Sequence, residues 1–157
     1  AGLDVDRIVT NGRVGASLEA CRRPRVTMGD NAALLAALSG PATLENQFGV
    51  SFTEASDAFT AIVRSFCDAG ADGIIVMETV RPADGEGWEE GLITAKNIAS
   101  FYNAMMYLWE VDGPAANPVR TPLNAPQKDG VGLIMTQELV AADYDIEALR
   151  QWVAGSK

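Results

Sequence analysis

The sequence predicts an α/β fold in which parallel strands alternate with helices. Three observations carry this. Two short apolar runs, AALLAALS at residues 32–39 and GIIVMET at residues 73–79, are strand-sized and bounded by turn residues. A helical pattern with its own start signal lies between them, and further helical patterns precede the first run and follow the second. Strands that alternate with helices pair in parallel, because each helix carries the chain back to the start of the next strand.

The first helix is expected over residues 9–28, including GASLEACRR, with Pro24 weakening its end. Gly29, Asp30 and Asn31 are turn formers. The continuous apolarity of residues 32–39 suggests a strand buried on both faces, although its Ala and Leu content also suits a helix. Gly40 and Pro41 end it. Ser51 and Glu54 have the spacing of a capping box, and Phe52, Ala55, Phe59, Ile62, Val63 and Phe66 recur at helical intervals up to a stop at Gly70. Ile74, Ile75 and Val76 are β-branched and favour a strand. Residues 81–87 read as a polar loop. A long helix is expected over residues 88–109, where Trp88, Leu92, Ala95, Ala99, Tyr102, Met106 and Trp109 form one stripe, widened by Ile98, Phe101, Met105 and Leu108. So broad a stripe fits a well-buried core helix or a partner interface. Residues 112–130 hold Pro114, Pro118, Pro122 and Pro126 without periodicity, an uncommon length for a structureless loop. Residues 131–136, VGLIMT, read as a third strand. Asp145 can cap a last helix carrying Ile146, Leu149, Trp152 and Val153.

Composition removes several function classes. The 157 residues hold 12 basic and 21 acidic side chains, a net charge of −9, and nucleic-acid binding needs a basic footprint. The cluster Arg22, Arg23 and Arg25 closes a helical pattern, where cations complement the helix dipole. Histidine is absent, which excludes Ser-His-Asp and Cys-His nucleophiles and imidazole ligation within the chain. Cys21 and Cys67 read as buried free thiols, and no metal site follows from them. No stretch reaches the roughly 18 apolar residues of a membrane span, and the opening segment, AGLDVDRIVTNG, has acids where a signal peptide has bases. The expectation is a cytoplasmic protein with no membrane or nucleic-acid partner.

Two segments resemble the uroporphyrinogen decarboxylase superfamily. ALSGPATLENQFG, residues 37–49, is similar to that family's strand followed by a Gly-Pro-x-Thr-Leu turn. FCDAGADGIIVMET, residues 66–79, is similar to its helix end, Ala-Gly-Ala-Asp-Gly turn and acid-tipped strand. LEACRRPRVTMGDNAALLAALSGP also fits the family's helix, Gly-Asp turn and strand. The resemblance covers roughly residues 3–110 and, more faintly, 130–154. It implies a partial (β/α)8 TIM-type barrel, taken as one domain over residues 1–157 with an irregular segment at 112–130.

In such a barrel the chemistry sits at the C-terminal ends of the strands. The expected site is therefore Glu78 as the catalytic or orienting carboxylate, with Gly40, Thr43, Gln47 and Thr79 binding substrate. The resemblance implies a lyase or methyltransferase acting on a carboxylate-bearing or methyl-donor small molecule, with no cofactor and no metal. The sequence departs from the family at several points: the family's N-terminal Arg-rich substrate loop and the catalytic Asp of an early strand have no counterpart in it, and the proline-rich segment at 112–130 stands where several middle strands are expected. Gln47 stands where the decarboxylases have a tyrosine, and the His-x-Cys zinc motif of the corrinoid- and thiol-linked methyltransferases is missing. Three strands cannot close a barrel of eight, so either further residues near 112–130 or a partner chain in a homo- or hetero-oligomer is expected to complete it. The alternatives are a non-catalytic interaction subunit that completes a partner barrel, or an unrelated barrel carbon–carbon lyase that shares only the AGADGI turn.

Overall fold

A computed structural model of the chain describes residues 3–28, 33–80, 85–110, 119–121, 134–136, 145, 147–148 and 151. The chain divides into two compact units, Ala1–Asp112 and Gly113–Lys157.

The first unit runs α1 (Val5–Thr10), α2 (Gly12–Met28), β1 (Leu35–Ser39), α3 (Pro41–Phe48), α4 (Phe52–Asp68), β2 (Gly73–Glu78), α5 (Gly85–Phe101) and β3 (Met105–Glu110). The three strands form one sheet in the order β1-β2-β3, parallel throughout. This is the expected alternation of parallel strands and helices. α4 packs against both α3 and α5, so the crossover helices share one layer. In register, Ala36, Ile74 and Met106 face that layer, as do Leu38, Val76 and Leu108; Ala36, Ile74 and Val76 are in the buried core, and the other three pack against it half-buried.

α4 anchors the core. Ser51 and Glu54 form the full capping box at its start: the Glu54 amide donates to the Ser51 hydroxyl and the Ser51 amide donates back to the Glu54 carboxylate. Its apolar stripe then buries Phe59 and Val63 completely. Burying two such side chains stabilises by roughly 1.5–3 kcal/mol each, so Phe59→Ala would cost about 3–5 kcal/mol. Against this helix lie Ala95 and Ala99 of α5, both with no exposed surface. The small side chains let the two helices approach.

Several elements differ from the expectations. The long helix over residues 88–109 is instead α5 and β3. α5 stops at Phe101, and Asn103 takes the left-handed conformation at φ 58°. The Ala104 amide then donates to the Ala99 carbonyl, closing the helix end. Asparagine tolerates this conformation better than most residues, and the following MMYLWE carries the aromatic side chains of a strand. The apolar stripe ran on because a core-facing helix and a core-lying strand are both apolar.

The first helix is divided as well. Gly12, at φ 64°, separates α1 from α2, and α2 continues through Pro24 to Met28. β1 begins at Leu35, two residues into the described part of the expected run. It is buried on one face only: Ala36 is buried while Leu35, Ala37 and Ser39 are exposed.

One cluster fixes the N-terminal end of the sheet. The guanidinium of Arg25, at the end of α2, donates to the Gly70 carbonyl at 2.8 Å and pairs with Asp72, whose carboxylate also accepts the Leu34 amide at 2.7 Å. Arg22 and Arg23 instead pair with Glu19 on the helix surface. Cys67 is buried and Cys21 half-buried; both are free, and burial pushes both thiols above their ordinary pKa.

In the second unit, β4 (Val119–Thr121) pairs in parallel with β5 (Ile134–Thr136). The first of these lies inside the segment read as structureless, and the second falls within the expected third strand, whose residues 131–133 lie outside the described residues. The Glu147 amide donates to the Asp145 carboxylate at 2.9 Å, the bond of the expected helix cap. Ile146, Leu149, Trp152 and Val153 lie outside the described residues. Among the described residues no helix is long and apolar enough to cross a membrane.

Candidate functional site

The C-terminal ends of β1 and β2 are neighbours, because the two strands pair in parallel. The turn that leaves β1 is built around a helix start. Gly40 is the N-cap of α3, with φ −74° and ψ 171°, and Pro41 holds the first helical position, where a missing N–H costs nothing. Glycine has no side chain with which to cap the helix. The free amides of Ala42 and Thr43 point instead at the end of the neighbouring strand.

Glu78, the last residue of β2, meets them. Its Oε1 accepts from the Ala42 amide at 3.1 Å and its Oε2 from the Thr43 amide at 2.8 Å. Oε2 also accepts from the Thr43 hydroxyl at 2.7 Å, and Oε1 from the indole nitrogen of Trp88 at 2.9 Å. A carboxylate has about four acceptor directions, and here each oxygen receives two donors. The side chain is 1% exposed. A buried acid at this position is tolerable because every lone pair is matched and the positive end of α3 faces it. Glu78 thus supplies from the adjacent strand the cap that Gly40 lacks.

Gly40 has to be glycine for the same reason. A Cβ there would overlap the Glu78 carboxyl group and stand 2.8 Å from Cγ1 of Val76.

Thr43 extends the network to the surface. Its hydroxyl accepts the Thr79 amide at 2.8 Å and lies 3.4 Å from the Thr79 hydroxyl. Thr43 is buried and Thr79 is exposed. Four of the five expected site residues, Gly40, Thr43, Glu78 and Thr79, therefore form one connected cluster. Gln47 takes no part in its hydrogen bonds and is exposed near the end of α3.

Trp88 also belongs to the cluster, although the sequence pattern places it only in a helical stripe. Its position offered one signal: an indole on an apolar face brings an N–H that needs an acceptor when buried, and Glu78 is the acid nearest in sequence on the preceding strand. The residues between them, 81–84, lie outside the described residues.

Chemically, the cluster presents a hydroxyl, on Thr79, at the outer end of a buried and saturated carboxylate network. Such a carboxylate fixes the geometry of the strand ends; it has no acceptor direction left for a substrate donor in this arrangement. No protein-family model, curated protein or solved structure matches the chain.

Proposed function

We propose that this chain is part of a (β/α) barrel enzyme of the uroporphyrinogen decarboxylase kind, a lyase or methyltransferase for a carboxylate-bearing or methyl-donor small molecule. The observation that supports it best is the tie between the two strand ends. Gly40–Thr43 after β1 and Glu78–Thr79 after β2 are joined by hydrogen bonds at one end of a parallel sheet, which is where barrels place their chemistry. In this reading Glu78 is a positioning residue. It holds the start of α3 and the Trp88 indole, and Thr79 is the group that meets the ligand.

The test is a panel of carboxylate-bearing and methyl-donor compounds, followed by release of carbon dioxide and by methyl transfer. Turnover of at least one compound is expected, with Thr79→Val raising KM and Glu78→Gln lowering kcat. A purified, folded assembly that turns over none of them would sink the enzyme reading.

One observation favours a second reading, a subunit that completes another chain's barrel. Among the described strands β1 is paired on one side only. An open parallel edge invites another strand.

A further inference from the structure

α4 and α5 lie side by side and run in the same direction, since each carries the chain back between parallel strands. Ser56 and Gly91 meet near their starts, and near their ends the Tyr102 hydroxyl donates to the Asp68 carboxylate. The inner side of α5 is taken up by packing, with Ala95 and Ala99 fully buried.

Ile93, Asn97 and Phe101, four residues apart, run along the outer side of α5, and all three are exposed. Ile93 is 53% exposed and Phe101 82%. Single apolar side chains on a surface are ordinary, but these two share one stripe. Beside Phe101 a space of about 380 Å³ is lined by Arg64 of α4 together with Thr94, Asn97, Ile98 and Tyr102. The Phe101 ring meets Tyr102 edge to face, with centroids 5.4 Å apart.

Charge on this face is divided between its ends. Arg64 stands at the Phe101 end. It has no ion-pair partner among the described residues, and Asp68, one turn on in the same helix, is engaged by Tyr102. The acids stand at the other end. Glu90 lies one heptad before Asn97 on α5, and Asp57 one heptad before Arg64 on α4; both are exposed and neither has an ion-pair partner among the described residues. Glu89 and Lys96, also a heptad apart, fall on the opposite flank of α5. Roughly 16 Å of helix separates Glu90 from Phe101, at 1.5 Å per residue.

A face with apolar side chains along it, a cation at one end and acids at the other is complementary to itself turned end for end. Two such faces related by a two-fold axis set each Arg64 against the partner's Glu90 and cover the exposed Ile93 and Phe101 side chains. Aligned in the same direction, they would set arginine against arginine and acid against acid. We infer that the outer face of α5, with Arg64 of α4, is the contact of a symmetric dimer, its occupant a second copy of this chain with its α5 antiparallel. The axis passes close to Asn97, whose amide both donates and accepts and so can bond to its own copy. The contact is independent of barrel completion, since it uses no strand edge, and it leaves the Glu78 cluster untouched.

A single helix pair makes a small interface, so a Kd on the order of tens of micromolar is expected. The test is analytical ultracentrifugation of the full chain at fixed, moderate salt. A reversible dimer is expected, and Phe101→Ser should weaken it by about tenfold or more, as loss of a large buried contact does. Arg64→Glu and Glu90→Arg should each weaken it roughly fivefold or more, because each turns two exposed ion pairs into like-charge contacts. An equimolar mixture of the two charge-reversed chains should recover association to within about twofold of the parent, since the mixed dimer again pairs opposite charges at both ends. All three positions are exposed, and circular dichroism checks that the variants fold; if Phe101→Ser does not, the charge-reversed pair decides. No self-association up to about 1 mM would overturn the choice of a second copy. A dimer that tolerates Phe101→Ser or both charge reversals, or a mixture that stays as weak as its components, would overturn the face or its antiparallel arrangement.

Discussion

The indole nitrogen of Trp88 lies 2.9 Å from Oε1 of Glu78, so the last residue of β2 is bonded at once to α5 and to the first turn of α3. One carboxyl group joins three elements. Replacing it by an amide keeps the shape and removes half of the acceptor capacity, because the NH2 must face donors on one side. Glu78→Gln is expected to lose about 1–3 kcal/mol of stability in urea unfolding and to alter the emission of Trp88 in the folded state. Unchanged stability would show that the four donors find other partners and that Glu78 does not hold the strand ends together.

Two glycines near this cluster should respond differently to the same substitution. Gly40 has an ordinary extended backbone but no room, since a Cβ would overlap Glu78 and approach Val76. Gly49 has open space and a left-handed backbone at φ 62°, where an alanine costs roughly 1–2 kcal/mol. Gly40→Ala is expected to disturb the Trp88 environment as well as stability, while Gly49→Ala should lower stability alone. Near-ultraviolet circular dichroism separates the two, and an unchanged aromatic signal in Gly40→Ala would contradict the close approach.

Much of this architecture was legible in the sequence where local signals agreed. Ser51, Glu54 and the stripe through Phe59, Val63 and Phe66 gave both ends and the buried face of α4, because capping chemistry and periodicity point to the same helix. The parallel pairing of β1 and β2 followed from the helix between them. β3 was hidden because its boundary rests on Asn103 alone, without glycine or proline, and its apolar residues continued the spacing of α5. Gly40, Thr43, Glu78 and Thr79 could be grouped because parallel strand ends lie together. The saturation of Glu78 could not, since it depends on the aim of two α3 amides and of an indole ten residues downstream.

Asp72 gives the fold a specific acid response. Burial works to raise its pKa, but the Leu34 amide and the Arg25 guanidinium, through its hydrogen bond and its charge, outweigh that and hold the carboxyl below its ordinary value. A depressed folded pKa stabilises the native state above the unfolded value, about 3.9, and the contribution fades as pH falls towards the folded value. The Asp72 side chain is 42% exposed, so solvent screening keeps the effect modest. Asp72→Asn should therefore be less stable than the parent at pH 6, with the gap narrowing as pH drops below about 4. A gap that stays constant down to pH 2 would mean that the Asp72 charge contributes nothing.

α4 and α5 come close together where Ser56 meets Gly91. The Ser56 hydroxyl is buried without a hydrogen-bond partner among the described residues, and a Cβ on Gly91 would stand 2.7 Å from it and 2.9 Å from the ring of Phe52. The two residues should therefore be coupled. Ser56→Ala removes an unsatisfied buried polar atom and should be neutral or stabilising by up to about 1–3 kcal/mol. Gly91→Ala gains helix propensity of about 1 kcal/mol but meets the hydroxyl and the ring, so a net loss of roughly 1–3 kcal/mol is expected from overpacking. In the double variant the hydroxyl is gone and only the ring must shift. A double-mutant cycle in urea should then show a favourable coupling of about 0.5 kcal/mol or more between the two substitutions. Additive effects would mean that the helices separate to admit the new methyl group, and that the close approach of Ser56 and Gly91 does not set the spacing of α4 and α5.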